Sequence, residues 1–201
     1  MKNGLLYPAI NFVIDILKYF NLVEIYKNIL VSIFNNYNTL TVNRFAIDSF
    51  IILKWIFIIC ILYTNSSNCL LTVLVWYLLY SNLYTYFYYH IWHNDTANDQ
   101  FNTPERIRRR FINLLTSIGF SNMCFAYLYR LPYLSEFEWS EKIPLTTKAI
   151  WFSFANSLTA NYEFVKPITK IGVELTITQL IISFIFLTMI LGNSIPKTNN
   201  N

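Results

Sequence analysis

Long apolar runs and short polar breaks alternate along most of the chain. Four apolar runs, over residues 45–63, 69–92, 111–129 and 171–195, are close to the length that a helix needs to cross a bilayer, about 20 residues. The polar segment 65–68 is short enough to be a tight turn, so the first two runs are predicted to form a helical hairpin. The pattern therefore predicts an all-α membrane protein with four transmembrane helices.

The N-terminal stretch 5–34 is also apolar, but Asp15, Lys18, Glu24 and Lys27 interrupt it. Four charges at those positions are expensive inside the hydrocarbon core. A helix that lies in the membrane interface avoids this cost because its polar face stays in water. We therefore expect an interfacial amphipathic helix here.

A short apolar segment, residues 149–158, stands between the third and fourth long runs. It is too short to span, and a polar stretch separates it from the last run. A span, a short helix, an irregular segment and a second span together are the pattern of a re-entrant pore loop. Non-helical backbone at membrane depth survives only where it lines water or is buried in protein, so we expect the functional residues directly after the short helix.

Composition supports lipid as the solvent. Of the 201 residues, 55% are hydrophobic and only 13% are charged, against about 25% charged residues in an ordinary soluble domain. The net charge of +4 is small and the basic residues do not alternate with aromatics, so nucleic-acid binding is not expected. Cys60, Cys69 and Cys124 form no CxxC pair and are interpreted as small buried apolar side chains.

The densest positive cluster, Arg106 and 108–110, immediately precedes the third long run. Cytoplasmic flanks of membrane spans collect Lys and Arg, so this cluster is predicted to lie inside the cell. The hairpin then begins and ends inside, and both termini are cytoplasmic in a multi-pass protein of the plasma membrane. The alternative, a voltage sensor, needs arginines at every third position within a span, whereas these are nearly contiguous and precede one.

Residues 149–167 resemble the pore loop of the potassium channel family, in its two-transmembrane pore-domain type. Aligned without gaps, Phe152 and Ser153 match the pore helix, Thr159 and Tyr162 match filter residues, and Pro167 matches the proline that follows. Further positions that fit the family's inner helix are Thr169, Gly172, Leu175 and Gln179. The resemblance covers roughly residues 111–195, and spacing carries more of it than identity.

The resemblance implies a homotetramer around a cation pathway, because one such chain cannot enclose a pore. The ion filter it implies consists of Thr159, Ala160, Asn161, Tyr162 and Glu163. The filter is degenerate. Asn161 and Glu163 replace its two glycines, which in the family help carbonyl oxygens to face the ion.

The other departures from the family's filter are Leu158 for its first threonine, Ala160 for its valine and Phe164 for its aspartate. Asn161 is a tolerable substitute for glycine, because asparagine is the best non-glycine occupant of positive φ. Glu163 in a tetramer would place four carboxylates near the outer mouth, either as a cation-attracting ring or simply as side chains facing extracellular water.

Two further groups of residues are open to a functional and a plainer interpretation. His90, His93, Asp95 and Asp99 are spaced closely enough to bind a metal, but two interfacial histidines that end an aromatic helix explain them more simply, and no metal is expected. Lys54 is expected to snorkel or to face a neighbouring helix.

The sequence thus predicts five regions: 1–44, interfacial helix and linker; 45–92, transmembrane hairpin; 93–110, cytoplasmic basic loop; 111–195, pore domain; and 196–201, cytoplasmic tail. The predicted function is passive conduction of monovalent cations, potassium or non-selective, by a homotetramer in contact with membrane lipids. The alternative is a non-conducting scaffold or accessory subunit. No triad, paired carboxylates or nucleotide loop is present, so neither an enzyme nor a cofactor is expected.

Overall fold

A computed structural model describes residues 6–35, 37–88, 104–140, 144–160 and 162–194. This part of the chain is mostly helical, as predicted, and adds one small sheet. Its seven α-helices and two strands, in chain order, are α1 (Leu6–Lys18), α2 (Leu22–Ile33), α3 (Thr39–Tyr63), α4 (Cys69–Phe87), α5 (Pro104–Arg130), β1 (Phe137–Trp139), α6 (Leu145–Ser157), β2 (Val165–Pro167) and α7 (Lys170–Ser194).

Four of the described helices are long and apolar enough to cross a membrane, which is the number predicted from the sequence. The apolar portions are Thr41–Tyr63, Cys69–Phe87, Phe111–Arg130 and Lys170–Thr188. The first portion begins before the predicted residue 45, because α3 already starts at Thr39, inside the polar stretch, and buries Val42 there.

Helix α4 runs antiparallel to both α3 and α5, and side chains fix both ends of this arrangement. At the first end, where α3 and α5 begin, Arg109 Nη2 lies 2.8 Å from both carboxylate oxygens of Asp48. At the second end, Arg130 donates hydrogen bonds to the Leu62 carbonyl and to Asn65 in the turn between α3 and α4. The chain therefore crosses from the first end to the second in α3 and again in α5.

The small sheet lies at the second end and brings the chain back to α7. Strands β1 and β2 are antiparallel, with Phe137 opposite Pro167. Helix α7 then returns to the first end, where the ring of Phe186 lies 6.4 Å from that of Tyr86. Its start fits closely against the turn before β1, because a Cβ added to Gly172 would lie 2.6 Å from the Glu136 carbonyl oxygen.

The N-terminal segment, predicted as one helix over 5–34, consists of two helices with a break at residues 19–21. Asn21 causes the restart, because its Oδ1 accepts a hydrogen bond from the backbone N–H of Val23 and so caps α2. The same oxygen accepts hydrogen bonds from Ser81 (3.0 Å) and Thr85 (3.1 Å) of α4. The single-helix prediction missed this break because its partners lie about 60 residues away.

Tyrosines of α4 hold the C-terminal half of α1, and the break after it, in an antiparallel arrangement. Their hydroxyl groups donate to backbone carbonyls: Tyr84 to Ile14 (2.7 Å), Tyr80 to Leu17 (3.3 Å) and Tyr77 to Phe20 (2.6 Å). Helix α2 turns back along α3, where the Tyr26 hydroxyl lies 3.2 Å from Ser49 Oγ. Helices α1 and α2 thus form a hairpin whose tip, residues 19–21, lies beside the middle of α4.

The largest group of buried apolar side chains lies among α3, α4, α5 and α6. It includes Cys124, which is fully buried as predicted, whereas Cys60 and Cys69 are exposed on the protein surface, contrary to the prediction for them. Both stand near the second end, one at the end of α3 and one at the start of α4.

Candidate functional site

Helix α6 lies between α5 and α7, and contacts along its length set its depth. Near its start, Lys148 donates to the carbonyl of Ser140, close to β1 at the second end. Near its end, Ser153 Oγ donates to the Asn122 carbonyl (2.7 Å) and Asn122 Nδ2 donates to Ser157 Oγ (3.2 Å). Asn122 stands eight residues before Arg130, so α6 reaches about 12 Å below the second end of α5 at 1.5 Å per residue.

Gln179 of α7 is the centre of a buried hydrogen-bond network that joins α5, α6 and α7. Its Nε2 donates to the Ser153 carbonyl (2.8 Å), to Ser153 Oγ (2.7 Å) and to Asn122 Oδ1 (3.2 Å). Its Oε1 accepts from the Tyr129 hydroxyl (2.6 Å) and from Asn156 Nδ2 (2.9 Å). Both polar atoms of a fully buried amide are thereby satisfied, which is the condition for keeping such a group among apolar neighbours.

Asn156 adds a second connection, because its Nδ2 also donates to the Thr176 carbonyl (3.1 Å). The ring of Tyr129 packs edge-on against Phe152, with ring centroids 4.9 Å apart. Polar and aromatic contacts together therefore fix the orientation of α6 about its own axis.

Helix α6 ends in a hydrogen-bonded cap that determines the path of the next residues. The N–H of Ala160 donates to the Ala155 carbonyl (2.8 Å), and the N–H of Thr159 donates to the Asn156 carbonyl (3.0 Å). This is a Schellman motif, whose central residue takes a left-handed conformation. That residue is Thr159, with φ 56°, where a β-branched side chain is strained and glycine is usual.

The predicted filter residues leave this cap and return toward β2. Thr159, Ala160 and Glu163 are exposed, whereas Tyr162 is half-buried and Asn161 lies outside the described residues. The ring of Tyr162 packs against Phe164 at 5.5 Å and Phe152 at 6.4 Å. Burial raises the pKa of the Tyr162 hydroxyl above its usual value.

We call residues 158–164, between α6 and β2, the return segment. An open cleft of about 650 Å³ lies between the end of α6, the return segment, β2 and α7. Polar and charged residues among its lining are Asn156, Tyr162, Glu163, Lys166 and Thr176. Lys166 stands opposite Glu138 in the sheet. The cleft can hold water against the polar face of the return segment.

The other positions that carry the potassium-channel resemblance have structural contacts. Ser153 and Gln179 belong to the buried network, Leu175 is buried, and Thr169 donates a hydrogen bond to Glu136. The resemblance to the potassium channel family did not single out Asn122, Tyr129 and Asn156. The sequence signal that could have found them is a polar residue within or next to an apolar run, because such a residue is expensive in a membrane unless another helix supplies a hydrogen-bond partner.

Lys54 and the candidate metal ligands are the other residues to which the sequence drew attention. Lys54 turns toward a neighbouring helix, where its Nζ lies 2.6 Å from Asn82 Oδ1. The candidate metal residues, His90, His93, Asp95 and Asp99, lie outside the described residues. Within the described ranges, no group of three or more histidine, cysteine or acidic residues is placed to hold a metal ion.

Neither a protein-family model, nor a curated protein, nor a solved structure matches this chain. The potassium-channel resemblance therefore rests on residues 149–167 and the positions that follow, and the function must be argued from the geometry of this segment.

Proposed function

We propose that the chain is the pore-forming subunit of a homotetrameric channel for passive cation transport across the plasma membrane. The observation that carries the proposal is the path between α5 and α7: α6 enters at the second end, and the chain leaves at that same end through β2. A depth of about 12 Å brings the end of α6 near the middle of a hydrocarbon core of about 30 Å. Such a path suits a re-entrant pore loop.

The charge distribution favours cations over anions. The C-terminal end of α6 points into the protein, and a helix C-terminus carries a partial negative charge. Residues 158–165 contain no lysine or arginine, and their one charged side chain is the exposed Glu163. Lys166 follows them and also lines the cleft, but it stands opposite an acidic residue, Glu138, in the sheet. A water-filled path along this segment would therefore attract monovalent cations, potassium or a mixture of cations.

A tetramer is needed because one α5–α6–α7 unit cannot enclose a path. The apolar portion of α7 is the least covered of the four, with Ile177, Ile181, Phe184 and Leu187 all exposed. The side chain of Trp151 on α6 is exposed as well. These surfaces are available for contacts with other copies of the chain and with lipid.

In this proposal the first end faces the cytoplasm, since Arg108 and Arg109 lie there, near the start of α5. Both termini are then cytoplasmic and α6 enters from outside. The N-terminal interfacial helix becomes a hairpin that dips from the cytoplasmic interface toward the middle of α4. Its exposed Phe12, Val13 and Ile16 suit contact with lipid.

Ion flux into liposomes that contain the purified protein tests the proposal, with K⁺, Na⁺ and Ca²⁺ compared side by side. We expect flux of monovalent cations above that of empty vesicles, from a species whose mass is four chains. Absence of cation flux from correctly folded tetramers would contradict it.

Glu163→Gln tests the contribution of the predicted filter. If four Glu163 carboxylates attract cations at the outer mouth, the substitution lowers single-channel conductance or alters block by divalent cations. The matched control is Glu138→Gln, because Glu138 is also exposed at the second end but lies on β1, outside the return segment. Equal currents in both variants and the wild type would leave Glu163 as a solvated side chain.

A non-conducting scaffold or accessory subunit is the second candidate. The cap at Thr159 and Ala160 favours this second candidate, because ending α6 is a sufficient structural reason for the conformation of these two residues and requires no ion binding. Mass measurement and flux separate the candidates: a monomer or dimer without flux supports the second, and a conducting tetramer supports the first.

A further inference from the structure

A small cavity lies between α2, α3 and α4, well away from α6. Its volume is about 30 Å³, and most of its lining is apolar: Val23, Ile47, Phe50, Ile51 and Leu78, with Tyr86 beside them. The remaining lining residues are Lys54, Asn82 and Thr85. A site this small has room for one or two water molecules or one small ion, since a single water needs at least about 10–15 Å³.

Lys54 gives this cavity its charge. It stands in the middle of the apolar portion of α3 and is only 7% exposed. Its ammonium group donates one hydrogen bond to Asn82 Oδ1 at 2.6 Å and lies 4.6 Å from the centre of the Phe120 ring. An ammonium group has three N–H donors, and these two contacts use only part of that capacity.

No carboxylate in the described part of the chain forms an ion pair with Lys54. Of the acidic residues on α2 and α3, Glu24 pairs with Lys27 at 2.8 Å and Asp48 with Arg109 at 2.8 Å. A buried charge without a partner of opposite sign is strongly unfavourable, and more so within a membrane span. A negative charge from outside the chain would remove this cost.

Other features of the site also favour an anion. Val23 lies in the first turn of α2, so the N-terminal end of that helix, with its partial positive charge, borders the cavity, and Glu24 in the same turn is paired with Lys27. Asn82 is fixed in one orientation, because its Nδ2 donates to the Ser117 carbonyl (3.1 Å) while its Oδ1 also accepts from Ser117 Oγ (2.7 Å). Asn82 therefore holds the ammonium group without neutralising it.

We propose that this cavity binds one small monovalent anion of the halide class, with the Lys54 ammonium as its principal ligand. The small volume favours a small ion over phosphate, carboxylic acids and lipid headgroups. The apolar lining favours a weakly hydrated monovalent ion, because a divalent anion loses far more hydration energy on entering such a site. This proposal is independent of ion conduction along the α6 segment.

Thermal unfolding of the purified wild-type protein tests it, in sodium chloride or bromide against sodium gluconate at equal ionic strength. Gluconate is too large for the cavity. We expect the midpoint temperature to rise with the logarithm of halide concentration, to roughly 5 °C above that in gluconate once the site is well saturated. Equal midpoints in all three salts would overturn the proposal.

Lys54→Met removes the ligand at similar side-chain length and should abolish the difference between halide and gluconate. Lys148→Met is the matched control, since Lys148 is also buried but donates to the Ser140 carbonyl and does not line the cavity. That variant should retain the halide effect. Val23→Phe, which fills the cavity and keeps Lys54, should lose it.

Equilibrium binding of radioactive chloride to the wild-type protein gives a result even where a variant does not fold. The proposal requires saturable binding of one chloride per chain, with competition by bromide. Lack of saturable binding would overturn it, as would a halide effect that persists in folded Lys54→Met.

Discussion

Gln179 is the residue whose replacement most directly tests how α6 is held in place. Gln179→Met keeps the length and approximate volume of the side chain but removes both its hydrogen-bond donor and its acceptor. The change therefore separates the polar network from simple packing. It withdraws partners from Tyr129, Asn156, Ser153 and Asn122, which come from α5 and α6.

The expected loss of stability follows from the hydrogen bonds of the Gln179 amide in the buried network. The amide has two N–H donors and an oxygen that accepts two bonds, so its five contacts are equivalent to at most four hydrogen bonds. Hydrogen bonds between helices in a membrane are worth about 0.6 kcal/mol each on average, which gives a total of about 2.4 kcal/mol. Some groups recover a partner, since Asn156 keeps the Thr176 carbonyl and Ser153 keeps the Asn122 carbonyl. The loss should therefore fall between about 1 and 2.5 kcal/mol.

Reversible unfolding in mixed micelles with increasing denaturing detergent would measure the free energy of unfolding. The control is Thr178→Val, one position earlier on α7, because the Thr178 hydroxyl donates to the Glu174 carbonyl of its own helix and, among the described residues, to no other helix. A Gln179→Met variant that is no less stable than Thr178→Val would refute the view that this network holds α6. Loss of cation flux at retained tetramer mass would extend the argument to function.

Two backbone predictions follow from local geometry. Thr159→Gly should stabilise the protein by about 1 kcal/mol in thermal unfolding, because it relieves a threonine at φ 56°; Ala160→Gly should not, and a destabilised Thr159→Gly would contradict the cap. Gly172→Ala should destabilise by about 1–3 kcal/mol, since the added Cβ would lie 2.6 Å from the Glu136 carbonyl oxygen. Gly119→Ala, whose Cβ would meet only the edge of the Trp55 ring at 3.3 Å, should be less damaging, and equal losses would argue against the tight fit at Gly172.

The sequence predicted where the candidate site begins, but not which side chains hold α6 in place. A short apolar segment between two spans indicated α6, and α6 forms at 145–157 against the predicted 149–158. The side chains that fix its depth come from three helices, and Asn122 and Gln179 are 57 residues apart in the chain. No local periodicity encodes such a pairing, because each polar residue alone reads only as an unfavourable residue in an apolar run.

By itself, the sequence determined that the chain has four apolar helices of membrane-spanning length, since length and lack of charge are local properties of each run. Only the tertiary structure decided what the polar exceptions do. Asn21 breaks the N-terminal helix because Ser81 and Thr85 donate to its side chain, and Lys54 stays buried because Asn82 and Phe120 face it. The physical reason is the same in both cases: a polar group in an apolar environment takes its conformation from its partners, and those partners come from other helices.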